Sequence, residues 1–421
     1  MPGGRGRIPG YDLRILHIIA SVDPSSGGPI EGILRQEKVT GGVDGRVVRE
    51  IVSLDLPDAP FLKSFPIAVH ALGRPIVGND PVRRLQRHYR YSPDYAPWIR
   101  ANAHRFDCAI VHGLWNYSAL AAAWTLPGSG LPYFVFTHGM LDPWFRAYYP
   151  KKHVAKQLSW LIAEGRLLAH ARSVLFTCAE EQRQAEGAFR GYSYTGTVVG
   201  YGTTRPPAVS ESGRAALAEI VPDAGDRPYL LFLSRIHAKK GCDLLIEGFA
   251  RMADRRPELR LVMVGPSEPT LLAELQAIVA RHGLEDRVIW PGPVFGDAKW
   301  ALIAAAEAFI LPSHQENFGI AVAEALAGGT PVLISDKVNI WQEIADAGAG
   351  LVAPDTVDGV IDLLARWFAT PDAARIAMGQ AGLDLFARQF DVANTAPALL
   401  DRMAAFIDDD ECRPRSEKVR E

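Results

Sequence analysis

Two carboxylates eight residues apart, Glu316 and Glu324, carry the strongest chemical signal in the sequence. They stand in Ser313-His314-Gln315-Glu316-Asn317-Phe318-Gly319-Ile320-Ala321-Val322-Ala323-Glu324-Ala325-Leu326-Ala327-Gly328-Gly329-Thr330-Pro331-Val332. The stretch follows an apolar run and reads as a turn opening into a helix that ends at Gly328. At about 1.5 Å of rise per residue, the two carboxylates lie roughly 12 Å apart along that helix. They cannot share one proton at that distance, but each can grip hydroxyl groups on a separate part of a long ligand. Between them, N–H groups near Gly319 and Ile320 offer an anion site at a helix N-terminus. The structural alternatives are a helix-start carboxylate for Glu316 and an exposed helix position for Glu324. The Ala, Val and Leu around Glu324 argue against the second.

A second cluster, Ser234-Arg235-Ile236-His237-Ala238-Lys239-Lys240-Gly241, follows one strand-like run and precedes a helical one. Two or three cations at a βα turn suit a pyrophosphate, whose charge they can neutralise without a metal. An ordinary charged loop is the alternative.

Short β-branched runs alternating with helical stretches position these groups. Leu13–Ala20, Arg46–Ser53, Cys108–Val111, Tyr133–Thr137, Val174–Cys178 and Gly196–Val199 read as strands of one series. A break at 200–228 follows. A second series runs through Tyr229–Leu233, Arg260–Val264, Arg287–Trp290, Ala308–Leu311, Pro331–Ile334 and Gly350–Val352. Alternation of this kind implies parallel βαβ units, with ligands at the carboxyl ends of the strands. The expected fold is α/β: two Rossmann-like domains facing across a cleft. Residues 1–205 form the first domain and 206–390 the second, and 391–421 form a C-terminal helix, which packs back on the first domain, with a charged tail. The Pro-rich region 57–97 reads as irregular.

Over 421 residues, 48% apolar and 22% charged composition supplies material for sizeable cores and excludes disorder as the main theme. The net charge of −3 excludes a generally basic nucleic-acid binder. That total hides an asymmetry. Residues 1–205 carry 24 Lys/Arg against 16 Asp/Glu, a net +8, and residues 206–421 carry 21 against 32, a net −11. The first half is therefore expected to face something anionic. Four widely spaced cysteines, Cys108, Cys178, Cys242 and Cys412, show no metal-like pattern and suit free thiols in a reducing compartment. Residues 1–12 contain no apolar core of a signal peptide, and no run of ~18 apolar residues predicts a membrane span.

The strand–Ser-Arg-x4-Lys-Gly–helix pattern, joined to Glu-x7-Glu with Phe-Gly after the first Glu and Ala-Gly-Gly-Thr-Pro-Val after the second, resembles the retaining family-4 (group 1) glycosyltransferases of the GT-B fold. The resemblance covers most of residues 12–407 and is most specific over 229–354. It implies that Glu316 contacts the transferred sugar and Glu324 the nucleotide ribose, while Arg235 and Lys240 bind the diphosphate. Asn317, Phe318, Gly319 and Ile320 would line the donor between the two carboxylates. Gly292-Pro293-Val294-Phe295 resembles the segment that lines the base, with Pro293 and Phe295 as its contacts. In the first half, Gly27-Gly28 resembles the family's Gly-Gly turn. His138, in Thr137-His138-Gly139-Met140-Leu141-Asp142-Pro143-Trp144, resembles its active-site histidine, which donates to the sugar or shuttles a proton; a structural strand-end histidine is the alternative. His112, Trp115, Asn116 and Asp142 are acceptor-side candidates, weighed evenly against structural roles.

The resemblance implies retaining, metal-independent transfer from a nucleotide-diphosphate sugar to a glycan or lipid-linked glycan, in bacterial cell-surface or exopolysaccharide synthesis. No cofactor or metal is expected. Asp408-Asp409-Asp410 matches an Asp-x-Asp metal motif but lies in the tail with no strand to position it. The glycine fingerprint of a dehydrogenase is missing. A GT-B sugar-nucleotide epimerase and an inactive sugar-nucleotide-binding protein remain open as alternatives. Two basic foci, Arg83–Tyr91 and Lys151–Lys156, suit an anionic membrane surface, at about 1 kcal/mol per basic residue. The expected location is cytoplasmic, peripheral on the inner face of the plasma membrane. Val154, Leu158, Leu161, Ile162, Gly165 and Leu168 recur at helical spacing and are read as a core-facing stripe.

Overall fold

A computed structural model describes residues 13–24, 27–41, 47–222, 224 and 227–408. Ser25, Ser26, Arg46, Asp409, Asp410 and Cys412 lie outside them, as does the side chain of Asp408.

Residues up to Gly200, with those from Thr395 onward, make one compact unit. Its strands are β1 (Leu13–Ile18), β2 (Val47–Ser53), β3 (Ala68–Ala71), β4 (Cys108–His112), β5 (Tyr133–Phe136), β6 (Ser173–Phe176) and β7 (Gly196–Val198). They form one parallel sheet in the order β3-β2-β1-β4-β5-β6-β7. Parallel strands buried on both faces need continuous apolar sequence, and β4, β5 and β6 are buried at every position. On one face, Leu16, Ile18, Ala109, Val111, Val135 and Val174 meet the alanine-rich helix Tyr117–Thr125. On the other, Ile15, Ile110, Phe134 and Phe136 meet Leu399, Leu400 and Met403 of the helix Val392–Asp408. Burying each such Leu or Met is worth about 1.5–3 kcal/mol.

Tyr201–Asn394 makes the second unit. Its strands are β8 (Tyr229–Leu233), β9 (Arg260–Val264), β10 (Val288–Gly292), β11 (Ala308–Leu311), β12 (Val332–Ser335) and β13 (Gly350–Ala353). The parallel order is β10-β9-β8-β11-β12-β13. In each sheet the order reverses beside the first strand, between β1 and β4 and between β8 and β11. Such a switch point leaves a crevice at the carboxyl ends of the strands.

Two sequence readings need correction. The boundary falls after Gly200, not Arg205. Thr203 bridges Asp391, Arg205 Nε donates to Asp391 Oδ2 at 2.6 Å, and Tyr201 packs edge-on against Phe318, so residues 201–205 fold with the second unit. The region 57–97 is also less irregular than read. It contains the edge strand β3 and the helices Pro81–Tyr89 and Tyr95–Asn102.

Candidate active site

The switch point of the second sheet brings together the two chemical clusters of the sequence. The β8 loop turns through Gly241 at φ +64, where a Cβ would sit 2.1 Å from the Pro312 carbonyl oxygen, so only glycine lets it press against the β11 loop. The Lys239 carbonyl accepts from the Ser313 hydroxyl at 2.9 Å and the His314 N–H at 2.8 Å. Glu316 is pinned from the third loop: its N–H donates to the Lys337 carbonyl and its carbonyl accepts from Asn339 N–H, both at 3.0 Å. Held from both sides, the Glu316 carboxylate meets the Lys240 ammonium in a direct ion pair.

Gly319, at φ +76, starts the helix Ile320–Ala327 with no side-chain cap, leaving backbone N–H groups for an anion. Ile320 opens that helix and Asn317 lies in the loop before it. Phe318 is different: its ring is buried between Tyr201 and Phe390 and serves the core, leaving only its backbone to a ligand. Burial, then the charges of Arg235, Lys239 and Lys240, hold His237 below the usual histidine range, which marks this loop as strongly cationic. Arg235 itself is exposed. Pro293 and Phe295 are exposed in the loop after β10, with Phe295 77% accessible.

Glu324 is buried, and its Oε1 accepts from Lys299 Nζ at 2.8 Å. Lys299, on the helix Gly296–Ala305, also lies 4.3 Å from the centre of the Trp300 ring. Lys299 escaped the sequence reading because nothing in its own helix marks it. The only signal was the apolar setting of Glu324, which demands a cation nearby. Among the described residues, no cluster of three or more His, Cys, Asp or Glu is arranged to hold a metal ion.

In the first unit, β1, β4 and β5 bring three imidazoles into line. His17 Nδ1 lies 2.9 Å from His112 Nε2, and His112 Nδ1 lies 3.1 Å from His138 Nε2. Burial pushes His17 down to about 3, helped by the charge of Arg49, and His138 down to about 4; it holds His112 well below its usual range as well. All three are neutral at pH 7. His138 adopts a left-handed backbone, φ +50, that a non-glycine residue tolerates only under restraint. Buried Glu181 supplies that restraint. Its Oε1 accepts from Gly139 N–H at 2.7 Å and the Thr137 hydroxyl at 3.0 Å, and its Oε2 accepts from the N–H and hydroxyl of Thr177, both at 2.7 Å.

The acceptor-side residues separate. His112 is buried with both ring nitrogens engaged by histidines, so it is not a free contact for an acceptor. The Asn116 carboxamide oxygen caps the helix Tyr117–Thr125 by accepting from Ala119 N–H at 3.0 Å, a structural role. Asp142 lines a cavity of about 400 Å³ with Met140, Arg146, His153, Lys156 and Phe189. Trp115 stands beside these groups: the Lys156 ammonium lies 3.9 Å from the centre of its ring, and Phe189 packs against it at 5.3 Å. Gly27, at φ +77, and Gly28 begin the helix Gly28–Thr40.

The stripe read as core-facing is also corrected. Val154, Leu158 and Ile162 are 60–62% exposed, whereas Gly165 and Leu168 are buried. A π-helical turn at Trp160–Glu164 breaks the 3.6-residue phase and turns Trp160 and Ala163 inward. Cys108, Cys178 and Cys242 are buried free thiols.

Comparison with known proteins agrees with this layout. A family model described as glycosyl transferases group 1 matches residues 214–383, and one described as a glycosyl transferase 4-like domain matches 41–202. A D-inositol 3-phosphate glycosyltransferase of Xylanimonas cellulosilytica is 33% identical over 212 residues, 47% of this chain and 48% of that protein. Mannosylfructose-phosphate synthase of Agrobacterium fabrum is 35% identical over 152 residues, 35% of this chain and 33% of that protein. The chain thus spans half or less of the length of these curated relatives. The crystal structure of Anabaena Alr3699/HepE in complex with UDP and glucose superposes with a TM-score of 0.70 at 18% identity, covering 93% of this chain and all of the other. That likeness establishes the fold, two Rossmann-like units of GT-B type.

Proposed function

Because the chain belongs to the group 1, family-4 glycosyltransferases, we propose that it transfers a sugar from a nucleotide-diphosphate donor to a glycan or lipid-linked acceptor, with retention and without a metal. The carrying observation is the Lys240–Glu316 ion pair, set beside the uncapped helix start at Gly319. Lys240, Arg235 and the N–H groups at Gly319 and Ile320 neutralise the departing diphosphate, the work a metal would otherwise do. Glu316 orients the sugar and Glu324 the ribose, while Pro293 and Phe295 flank the base. In the transfer step the acceptor oxygen bonds to the anomeric carbon on the face from which the C–O bond to phosphate breaks. The nucleoside diphosphate leaves with the electron pair, and its phosphate takes the acceptor proton. Purified protein should release nucleoside diphosphate from at least one member of a panel of nucleotide sugars, in EDTA, only when acceptor is added. Release from no donor, with any acceptor extract, would remove the reading.

The acceptor side belongs to the first unit. Arg146, Lys156 and Arg183 outnumber Asp142 and Glu186 around the 400 Å³ cavity, which has Phe189 as its apolar wall and suits a sugar bearing negative charge. The helix Pro150–Ser159 and the π-helical turn that follows it present Val154, Leu158 and Ile162 to solvent beside Lys151 and Lys152, and the helix Pro81–Tyr89 presents Val82 and Leu85 among Arg83, Arg84 and Arg87. Exposed apolar residues amid cations match a membrane interface of anionic lipid. Among the described residues no helix is long and apolar enough to cross a membrane. Peripheral docking on the cytoplasmic leaflet, in service of cell-surface glycan assembly, follows as the setting. The protein is expected to float with anionic vesicles at low salt, and Leu158→Glu/Ile162→Glu to weaken that. Binding that ignores both salt and these substitutions contradicts docking through this face.

A further inference from the structure

We propose that His17 and His112 are positioning residues that lock His138 as its Nδ1–H tautomer, making it a fixed hydrogen-bond donor instead of a base. The part His138 plays toward the sugar rests on the function proposed above; the tautomer itself does not.

The argument is a count of protons. Each neutral imidazole carries one N–H. The contacts His17 Nδ1–His112 Nε2 and His112 Nδ1–His138 Nε2 each need one donor and one acceptor. Only two arrangements satisfy both. In the first, His17 Nδ1–H donates to His112, His112 Nδ1–H donates to His138 Nε2, and the third proton rests on His138 Nδ1. In the second, every bond reverses and the third proton rests on His17 Nε2.

The far end of the line decides between them. His17 Nε2 is buried and, among the described residues, has no hydrogen-bond partner. A proton there would be an N–H with no acceptor, among the rarer and costlier defects of a protein interior. A cation is also close. Arg49 pairs with Ile15 in the β1–β2 register, so its side chain shares the sheet face of His17, and it is buried with its guanidinium bonded to Glu37 and Thr40. Its positive charge disfavours a second proton on His17 and keeps that ring neutral. The first arrangement leaves that lone pair at Nε2 and sends the proton to His138 Nδ1, which has no partner among the described residues. His138 Nε2 is then occupied as an acceptor. The ring can donate from Nδ1 but has no free lone pair with which to take a proton. Of the two roles open to His138 from sequence, donation to the transferred sugar survives and proton shuttling does not.

Long-range ¹H–¹⁵N correlation spectra of the full chain labelled with ¹⁵N-histidine test this without substrate. The expected His138 spectrum, assigned by its loss in His138→Phe, has a pyrrole-like Nδ1 and a pyridine-like Nε2 at pH 7. His112→Phe should shift His138 toward the Nε2–H form, whereas His112→Gln, whose amide accepts from His17 and donates to His138, should keep the Nδ1–H form. If His112→Phe does not fold, His17→Glu, whose carboxylate accepts from His112 Nε2–H and so reverses the line, provides the same test. In an activity assay, His112→Phe should lower kcat about tenfold or more with donor affinity unchanged, as wrong-tautomer variants do in other histidine relays, and His112→Gln should restore it. An Nε2–H His138 in the native protein, or a His138 spectrum indifferent to His112→Phe and to His17→Glu, overturns the proposal. Loss of the transferase reading would leave the spectra unchanged, so the two failures are distinguishable.

Discussion

Lys240→Ala is expected to lower kcat by about 10²–10³ while the protein melts within a few degrees of wild type. The rate effect follows from what Lys240 faces. Its ammonium is nearly enclosed, bonded to Glu316 and set in a loop where burial, and then the charges of Arg235, Lys239 and Lys240 itself, hold His237 below its usual range. Removing one preorganised group that stabilises developing charge costs roughly 2.7–4 kcal/mol of barrier. Departure of a nucleoside diphosphate develops such charge. The small stability effect follows from the partner: the Glu316 side chain keeps about a fifth of its surface in water and can rehydrate when the pair is broken. Glu316→Ala should also cripple turnover, and the double variant should be little worse than either single one, because the two residues act as a unit. Steady-state kinetics at saturating donor, beside thermal melts, give both numbers. Turnover within threefold of wild type in folded Lys240→Ala contradicts the role.

Lys299→Ala is expected to destabilise the second unit by about 3–5 kcal/mol, because it removes the cation that faces the buried Glu324 carboxylate. For a unit of this size, that amounts to a fall of about 6–20 °C in Tm. Glu324→Ala should cost less. The ammonium it leaves behind is more exposed than the carboxylate and retains the face of Trp300. Replacing both, as Lys299→Met/Glu324→Leu, should recover most of the stability but not donor affinity, since the ribose grip is gone. Differential scanning calorimetry and nucleotide titration separate these outcomes. Equal melting of wild type and Lys299→Ala would show that the pair carries no stability.

What the sequence disclosed and what it hid follow one physical line. Glu316, Glu324 and Lys240 were legible because local chemistry marks them: a carboxylate at a helix start, a charge among alanines, cations at a βα turn. The parallel sheets were legible because strands buried on both faces must be apolar throughout. Lys299, Glu181 and His17 were hidden because each acts through a partner on a different element, brought close only by the tertiary fold. Leu158 and Ile162 were misread because one π-helical turn shifts the face a residue presents, and no periodicity announces it. His112 and Asn116 lie where catalytic residues often do, yet their polar atoms are spent on His17, His138 and Ala119.

Proton NMR of the product formed in EDTA, from the donor that supports turnover, tests the central claim most directly. The expected anomeric coupling is that of the donor sugar, with the rate undiminished by the chelator. An inverted anomer, or transfer that stops in EDTA and resumes with added divalent metal, would contradict it.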